Sequence, residues 1–238
     1  LQHKHAILFT KKLNAQDIEY ARLKGIEPSF EPALHTTYPE YWDKPLAVIA
    51  EHRRASWVFT SQKAAKAIQE MMQQGLQPEP GIAVYAVGPK TKSKLNEVGL
   101  NARTPYKHNA EELANLIIND GDTKEAIYFR GNRSLQTIPK KLEAANITVH
   151  STQVYQTHLT EISVPERHFE GVVFYSPSAV DAFKKSGGFS YEWPNMFAIG
   201  PTTANYLKEE APGEVNPIYP NVQKTRYLLN TISSKISS

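Results

Sequence analysis

Six short turns hold the residues best suited to chemistry in this 238-residue chain. Thr10-Lys11-Lys12 follows the apolar run AILF, and Arg130-Gly131 follows AIYF. Ser61 lies in "VFTSQKAAKAI" at 58–68, and Ser176-Pro177-Ser178 in the near copy "VFYSPSAVDAF" at 173–183. Gly88 opens "GPKTKSKL", and Gly200 opens "GPTTANYL". Each turn joins a β-prone run to a helix-like run. The first turn of a helix leaves backbone N–H groups unpaired at the positive end of its dipole. Small or hydroxyl residues there let an anion reach those donors. The pattern therefore points to anion binding at Thr10, Lys11, Ser61, Gly88, Arg130, Gly131, Ser176, Ser178 and Gly200. Lys12, Lys90 and Arg133 also fall just past strand ends and would add local positive charge. The plain alternative is that the serines are ordinary helix caps, the Gly-Pro pairs ordinary turns and the cations solvated surface.

The elements that position these turns are legible in the apolar pattern. Short apolar runs at 6–9, 57–60, 83–87, 126–129, 148–150, 172–175 and 196–199 read as strands buried on both faces. Helical patterns over 15–24, 62–74, 90–98, 110–119, 134–145, 178–184, 202–210 and 223–234 lie between them, and Asn109 with Glu111 and Glu112 marks one start. Such alternation predicts parallel sheets flanked by helices. The repeated turns predict internal duplication, hence two similar α/β lobes. Taken in chain order, the repeats group as Thr10, Ser61 and Gly88 in one unit and Arg130, Ser176 and Gly200 in the other.

Composition excludes more than it selects. With 40% hydrophobic and 21% charged residues the chain reads as an ordinary globular protein. No apolar run reaches the roughly 18–20 residues of a membrane span. The absence of cysteine removes disulfides and thiolate chemistry. A net charge of +3 without a basic run does not call for nucleic acid. Cytoplasmic location is the expectation. Histidines are scattered, so no metal site is expected. His3 and His5 read as a loose terminus, and Gly187-Gly188 before "FSYEW" as a mobile loop.

"VFTSQKAAKA", "AVGPKT", "QVYQT", "FYSPSAVDAF" and "AIGPTTA", in this order and spacing, resemble the uroporphyrinogen-III synthase family; the combination of the last three is the most specific. The resemblance spans about 6–230. It implies two flavodoxin-like lobes joined by a two-stranded linker. The first lobe would comprise 1–34 and 158–238, the second 38–154, with linkers near 34–38 and 153–158. "EPALHTTYP" at 31–39 and "STQVYQTHLT" at 151–160 independently read as extended connectors.

The resemblance also implies the chemistry. Hydroxymethylbilane, carrying eight carboxylates on four pyrrole rings, loses its terminal hydroxyl as water. The resulting azafulvene is attacked by ring D at its substituted carbon, and a spiro intermediate reopens and closes with ring D inverted. Neither metal nor organic cofactor is implied, because pyrrole nitrogens supply the electrons. A monomer is expected, with substrate handed over from hydroxymethylbilane synthase and neither nucleic acid nor membrane as partner. Tyr155 matches the family's motif tyrosine, and a phenol, protonated at neutral pH, suits donation to a departing hydroxyl. Packing of a linker is the alternative role for that ring. Thr91, Thr202 and Thr203, with Ser61 and Ser176, match family positions that contact substrate. Two other functions stay open on the residues alone: a two-lobed small-ligand binder without catalysis, and a flavodoxin-like nucleotide or flavin module.

Overall fold

The structure is a computed structural model and describes residues 4–165 and 167–237. In chain order its elements are β1 (His5–Phe9), α1 (Ala15–Leu23), β2 (Ile26–Phe30), β3 (Leu34–Thr37), α2 (Asp43–Glu51), β4 (Ser56–Phe59), α3 (Gln62–Gln73), β5 (Val84–Ala86), α4 (Pro89–Asn96), β6 (Ala102–Arg103), α5 (Ala110–Asp120), β7 (Glu125–Gly131), α6 (Thr137–Ala144), β8 (Thr148–Leu159), β9 (Gly171–Phe174), α7 (Pro177–Lys185), β10 (Met196–Ala198), α8 (Pro201–Glu210) and α9 (Thr225–Ile236). The chain divides into two compact units, Leu1–His35 with His158–Ser238 and Thr36–Thr157.

The first unit is built on a four-stranded sheet in the order β10-β9-β1-β2, all parallel. Alternation along the strands sends side chains to two separate cores. Ile7, Phe9, Val173 and Phe197 meet Ala21 of α1 and Leu228, Leu229 and Ile232 of α9 on one face. Leu8, Val172 and Phe174 meet Val180 and Phe183 of α7 and Leu207 of α8 on the other. The second unit is built on a six-stranded sheet in the order β3-β8-β7-β4-β5-β6. Trp57, Phe59, Ile127 and Phe129 pack under α3, with Ile49 of α2 and Leu95 of α4. Val58, Tyr85, Ala126 and Tyr128 pack under α5 and α6.

The two sheets share one connectivity, entered at different points. The segment β10-β9-β1-β2 matches β5-β4-β7-β8 strand for strand, and even the strand beyond β5 has a counterpart. Where β6 pairs with β5, Ile218 forms a parallel bridge to Phe197 of β10. The first unit is thus a circular permutation of the second. This corrects the grouping by chain order. Thr10 belongs with Ser176 and Gly200, because β1 pairs with β9 and β9 with β10. Arg130 belongs with Ser61 and Gly88, because β4 pairs with β7 and β5.

Several elements escape the apolar pattern. β2 contains Pro28, which reads as a breaker, yet β2 is an edge strand where the missing N–H is tolerated. α2 carries Pro45 in its first turn, allowed because that turn needs no internal donor. Most of the 151–160 connector is strand, because β8 runs unbroken from Thr148 to Leu159. His5 is in β1 rather than a loose end, and its ring lies 2.6 Å from Glu170; His3 lies outside the described residues. The loop after Gly187 is packed, with Phe189 and Trp193 against Phe183 at centroid distances of 5.1 and 5.5 Å.

Phe129 should be a large contributor to the second unit. It stacks on Phe59 at 4.9 Å and meets Trp57 edge-on at 5.2 Å, fully buried. Phe129→Ala is expected to cost about 3–5 kcal/mol in denaturant unfolding, whereas the exposed Tyr106→Ala should change it by less than about 0.5 kcal/mol.

Candidate active site

All the sequence-selected turn residues lie at or just past the C-terminal ends of parallel strands, where open α/β sheets bind ligands. In the first unit Thr10 is buried, and its hydroxyl donates to the Val173 carbonyl at 2.8 Å. That hydroxyl ties β1 to β9 and is not turned to solvent. Lys11 is exposed, and its Nζ sits 5.1 Å over the Tyr175 ring. Ser176 caps α7, its Oγ accepting from the Ala179 amide at 3.3 Å; Ser178 is half-buried one step into the helix. Gly200 caps α8, with Thr202 exposed and Thr203 buried in the first turn.

The second unit repeats the arrangement. Ser61 caps α3, accepting from the Lys63 amide at 3.1 Å. Gly88 caps α4, and Thr91 is buried in that helix's first turn. Capping thus describes both serines correctly. It uses only acceptor capacity, so each hydroxyl proton remains able to donate. The two glycines are in extended backbone, and each lies close under an exposed side chain that would have to shift to admit a Cβ. A Cβ on Gly88 would meet His108 at 3.2 Å, and one on Gly200 would meet Gln223 at 2.6 Å. His108 and Gln223 occupy equivalent places, each immediately before the N-cap of the following helix, Asn109 and Lys224.

Tyr155 is aimed by an irregularity in the β7–β8 ladder. Arg130 pairs with Gln153 but Gly131 pairs with Tyr155, so one extra residue, Val154, is inserted into β8. Such a bulge re-aims the side chain after it. Val154 is fully buried and Tyr155 is half-buried. The ring then lies over Gly131, where a Cβ would come within 2.4 Å of the Tyr155 Cε2. Only glycine leaves room. Beyond the bulge, Asn132 clamps Thr157, accepting from its amide at 2.8 Å and donating to its carbonyl at 3.2 Å.

Tyr155 and Arg130 share a cavity of about 920 Å³ inside this unit, lined also by Tyr38, Tyr41, Lys44 and Gln153. Arg130 donates to the Gly131 carbonyl at 3.1 Å, while its Nε is sealed from water with no hydrogen-bond partner among the described residues. Lys63, which the pattern of strand-end cations did not single out, lies with its Nζ 5.5 Å from the Tyr155 ring centroid and donates to the Thr157 hydroxyl at 3.2 Å. Partial burial pulls its ammonium below the ordinary lysine range. Tyr38, under Lys66 at 5.0 Å, has its phenol raised by burial first, then by Glu70. The signal for Lys63 was its position two residues after the capping Ser61, in the first turn of α3. Ser61, Gly88 and Thr91 do not line this cavity.

A family model described as uroporphyrinogen-III synthase HemD matches residues 16–217. The chain belongs to the uroporphyrinogen-III synthase family. It is 27% identical to the uroporphyrinogen-III synthase of Saccharomyces cerevisiae, over 79% of this chain and 80% of that one. Among solved structures it is similar to the Helicobacter pylori uroporphyrinogen-III synthetase, with a TM-score of 0.65 at 16% identity, covering 97% of this chain and 99% of the other. A mutant uroporphyrinogen III synthase from Thermus thermophilus matches with a TM-score of 0.64 at 16% identity, covering 98% of each chain. These two likenesses establish the fold, which is that of the family.

Two outcomes follow. Gly131→Ala should cost about 1–3 kcal/mol of stability by overpacking against Tyr155, and should become nearly neutral in a Tyr155→Ala background; a double-mutant cycle in urea measures the coupling. Burial pushes the Tyr175 phenol up to about 12, with the Thr225 hydroxyl nearby acting in the opposite sense. The unfolded chain loses that proton near pH 10. The stability this burial contributes is therefore complete below pH 10 and is lost as pH rises toward about 12. Tyr175→Phe should flatten that alkaline loss in thermal melts.

Proposed function

We propose that Tyr155 donates the proton that releases the terminal hydroxyl of hydroxymethylbilane as water, while the strand-end turns hold the substrate carboxylates. The reaction class follows from the family: a lyase of tetrapyrrole biosynthesis, uroporphyrinogen-III synthesis. The observation that carries the site assignment is the pairing of Tyr155 with Arg130 in one cavity, the phenol set by the β8 bulge and by Gly131.

The chemistry asks little of the protein beyond orientation and one proton. When the C–O bond of the hydroxymethyl group breaks, the electron pair leaves with oxygen, and the phenol proton completes a water molecule. The pyrrole nitrogen stabilises the cation left behind. The phenolate recovers its proton when the rearranged ring loses one, so the net change is loss of water. Lys63 over the ring face steadies the phenol by cation–π attraction and favours its transient negative charge. The Arg130 Nε is a buried donor without a partner among the described residues, and a carboxylate placed there would recover the free energy that this donor forgoes. Orientation does the rest: holding the chain so that the unsubstituted carbon cannot attack can supply several kcal/mol.

The other carboxylates are assigned to first-turn amides and hydroxyls. In the second unit these are Ser61, Gly88 and Thr91, with Lys90 beside them. In the first unit they are Thr10, Lys11, Ser176, Ser178, Gly200, Thr202 and Thr203. Thr10 and Lys11 precede α1, whose cap is Asn14, and the Thr10 hydroxyl and amide both donate to the Val173 carbonyl, so this turn would contribute through Lys11. This distribution accounts for an octa-anion being held by a chain of net charge +3. A cytoplasmic monomer receiving substrate from hydroxymethylbilane synthase completes the reading. Among the described residues no helix is long and apolar enough to cross a membrane.

The test couples the purified protein to hydroxymethylbilane synthase and separates the product isomers. Isomer III is expected. Isomer I alone, the product of unassisted closure, would overturn the activity. Tyr155→Phe keeps the ring and its Gly131 contact, so it removes the phenol alone. Turnover is expected to fall by roughly 10²-fold or more. An unchanged rate, with isomer III still formed, would leave the activity standing and reduce Tyr155 to packing.

A further inference from the structure

The second unit also carries a cluster that the proposed reaction does not use. It lies near the N-terminal ends of the strands, where β7 begins at Glu125. His150 stands on β8 opposite Ile127, and His52 closes α2. Glu125 Oε2 is 3.3 Å from His52 Nδ1 and 3.4 Å from His150 Nε2. The two imidazoles stack with centroids 3.4 Å apart and planes within 13°. One ligand atom from each of the three residues lies within 4.8 Å of the others. His150 Nε2 is sealed from water and makes no hydrogen bond among the described residues.

We propose that His52, Glu125 and His150 bind one borderline divalent metal ion, with zinc as the best fit. Two imidazole nitrogens and one carboxylate oxygen are a donor set suited to this ion. A tetrahedral ion with bonds of roughly 2.0–2.1 Å holds its ligands roughly 3.3–3.4 Å apart, which is the separation found between each imidazole nitrogen and the carboxylate. Two protonated rings in face contact would repel. The metal-free alternative is a pair of neutral rings with protons on His52 Nδ1 and His150 Nε2, both facing the Glu125 carboxylate, and zinc titration distinguishes it from an ion site. Because the two rings stack nearly parallel, their in-plane lone pairs do not converge as they stand; coordination asks the rings to unstack and swing by tens of degrees about their Cβ–Cγ bonds so that both lone pairs meet at one point, with Glu125 in place.

The surroundings support an ion. The other nitrogen of His52, Nε2, lies 3.9 Å from Glu51 Oε2, so a second carboxylate can orient the ring when Nδ1 is engaged. A cavity of about 500 Å³ beside the cluster, lined by Glu51, His52, Asp122 and Glu125, gives water access to complete the coordination. Lys124 and Arg54 also line it and temper the affinity, whereas Arg53 is drawn to Glu79 at 2.9 Å. The site would be structural, tying the end of α2 to the starts of β7 and β8.

The test uses the full chain, stripped with a chelator and titrated with zinc chloride by calorimetry. One ion per chain is expected, with a rise in melting temperature. His52→Ala and Glu125→Gln, both at the unit's surface, should each weaken binding by at least roughly 10-fold while the metal-free melting temperatures stay near that of the parent. Cobalt(II) in place of zinc should give the intense visible bands of a tetrahedral centre, lost in His52→Ala. No saturable binding, or binding unchanged in both variants, would overturn the proposal. So would a cobalt spectrum indistinguishable from that of the hydrated ion.

Discussion

A parallel sheet covered by helices on both faces has nowhere to put chemistry except its ends. That constraint governs this molecule. Both units send alternate strand residues into two dry cores, so the strands can carry little but apolar side chains. Polar groups collect where strands stop and helices begin, among amides that have no internal partner. The strand-end turns proposed to hold substrate and the His52–Glu125–His150 cluster obey the same rule at opposite strand ends.

Within that frame, one inserted residue does most to shape the candidate site. Without the bulge, strict alternation along β8 would place Tyr155 on the face opposite Val154 with no freedom of aim. With it, Val154 keeps its place in the core and the phenol turns across Gly131 into the cavity with Arg130. The absence of a side chain at Gly131 is what makes the turn possible. Beyond the end of the ladder the Asn132 side chain holds the Thr157 amide and carbonyl, which tethers β8 past the bulge. A flexible loop could present a tyrosine too. A strand fixed on both sides holds it more closely, as orientation-dependent chemistry demands.

The circular permutation bears on how the two halves came to share a design. Each unit has the same strand neighbours, the same capping serine and glycine, and a side chain from the equivalent position laid against that glycine, His108 in one and Gln223 in the other. The chain enters the first unit, leaves at β3, builds the second unit whole, and returns through β8. Equivalent positions are therefore far apart in one unit and close in the other, which is why reading the repeats in chain order misgroups them.

Much was legible from residues alone. Apolar runs bounded by turn residues located most of the strands, caps such as Asn109 located helix starts, and the recurring Ser and Gly-Pro turns marked the strand ends and the duplication. These are local properties, determined by side-chain periodicity and by which residues can end a helix. Partnership between distant segments was decided only in three dimensions. Pro28 disguised an edge strand, and Pro45 disguised a helix start. Nothing in "TQVYQT" announces a bulge, since a bulge is defined by the opposing strand. Lys63 reached Tyr155, and His52 and His150 came together across Glu125, through contacts spanning scores of residues. Sequence spacing encodes neighbours along one element, while packing between elements is what brings ionisable groups face to face.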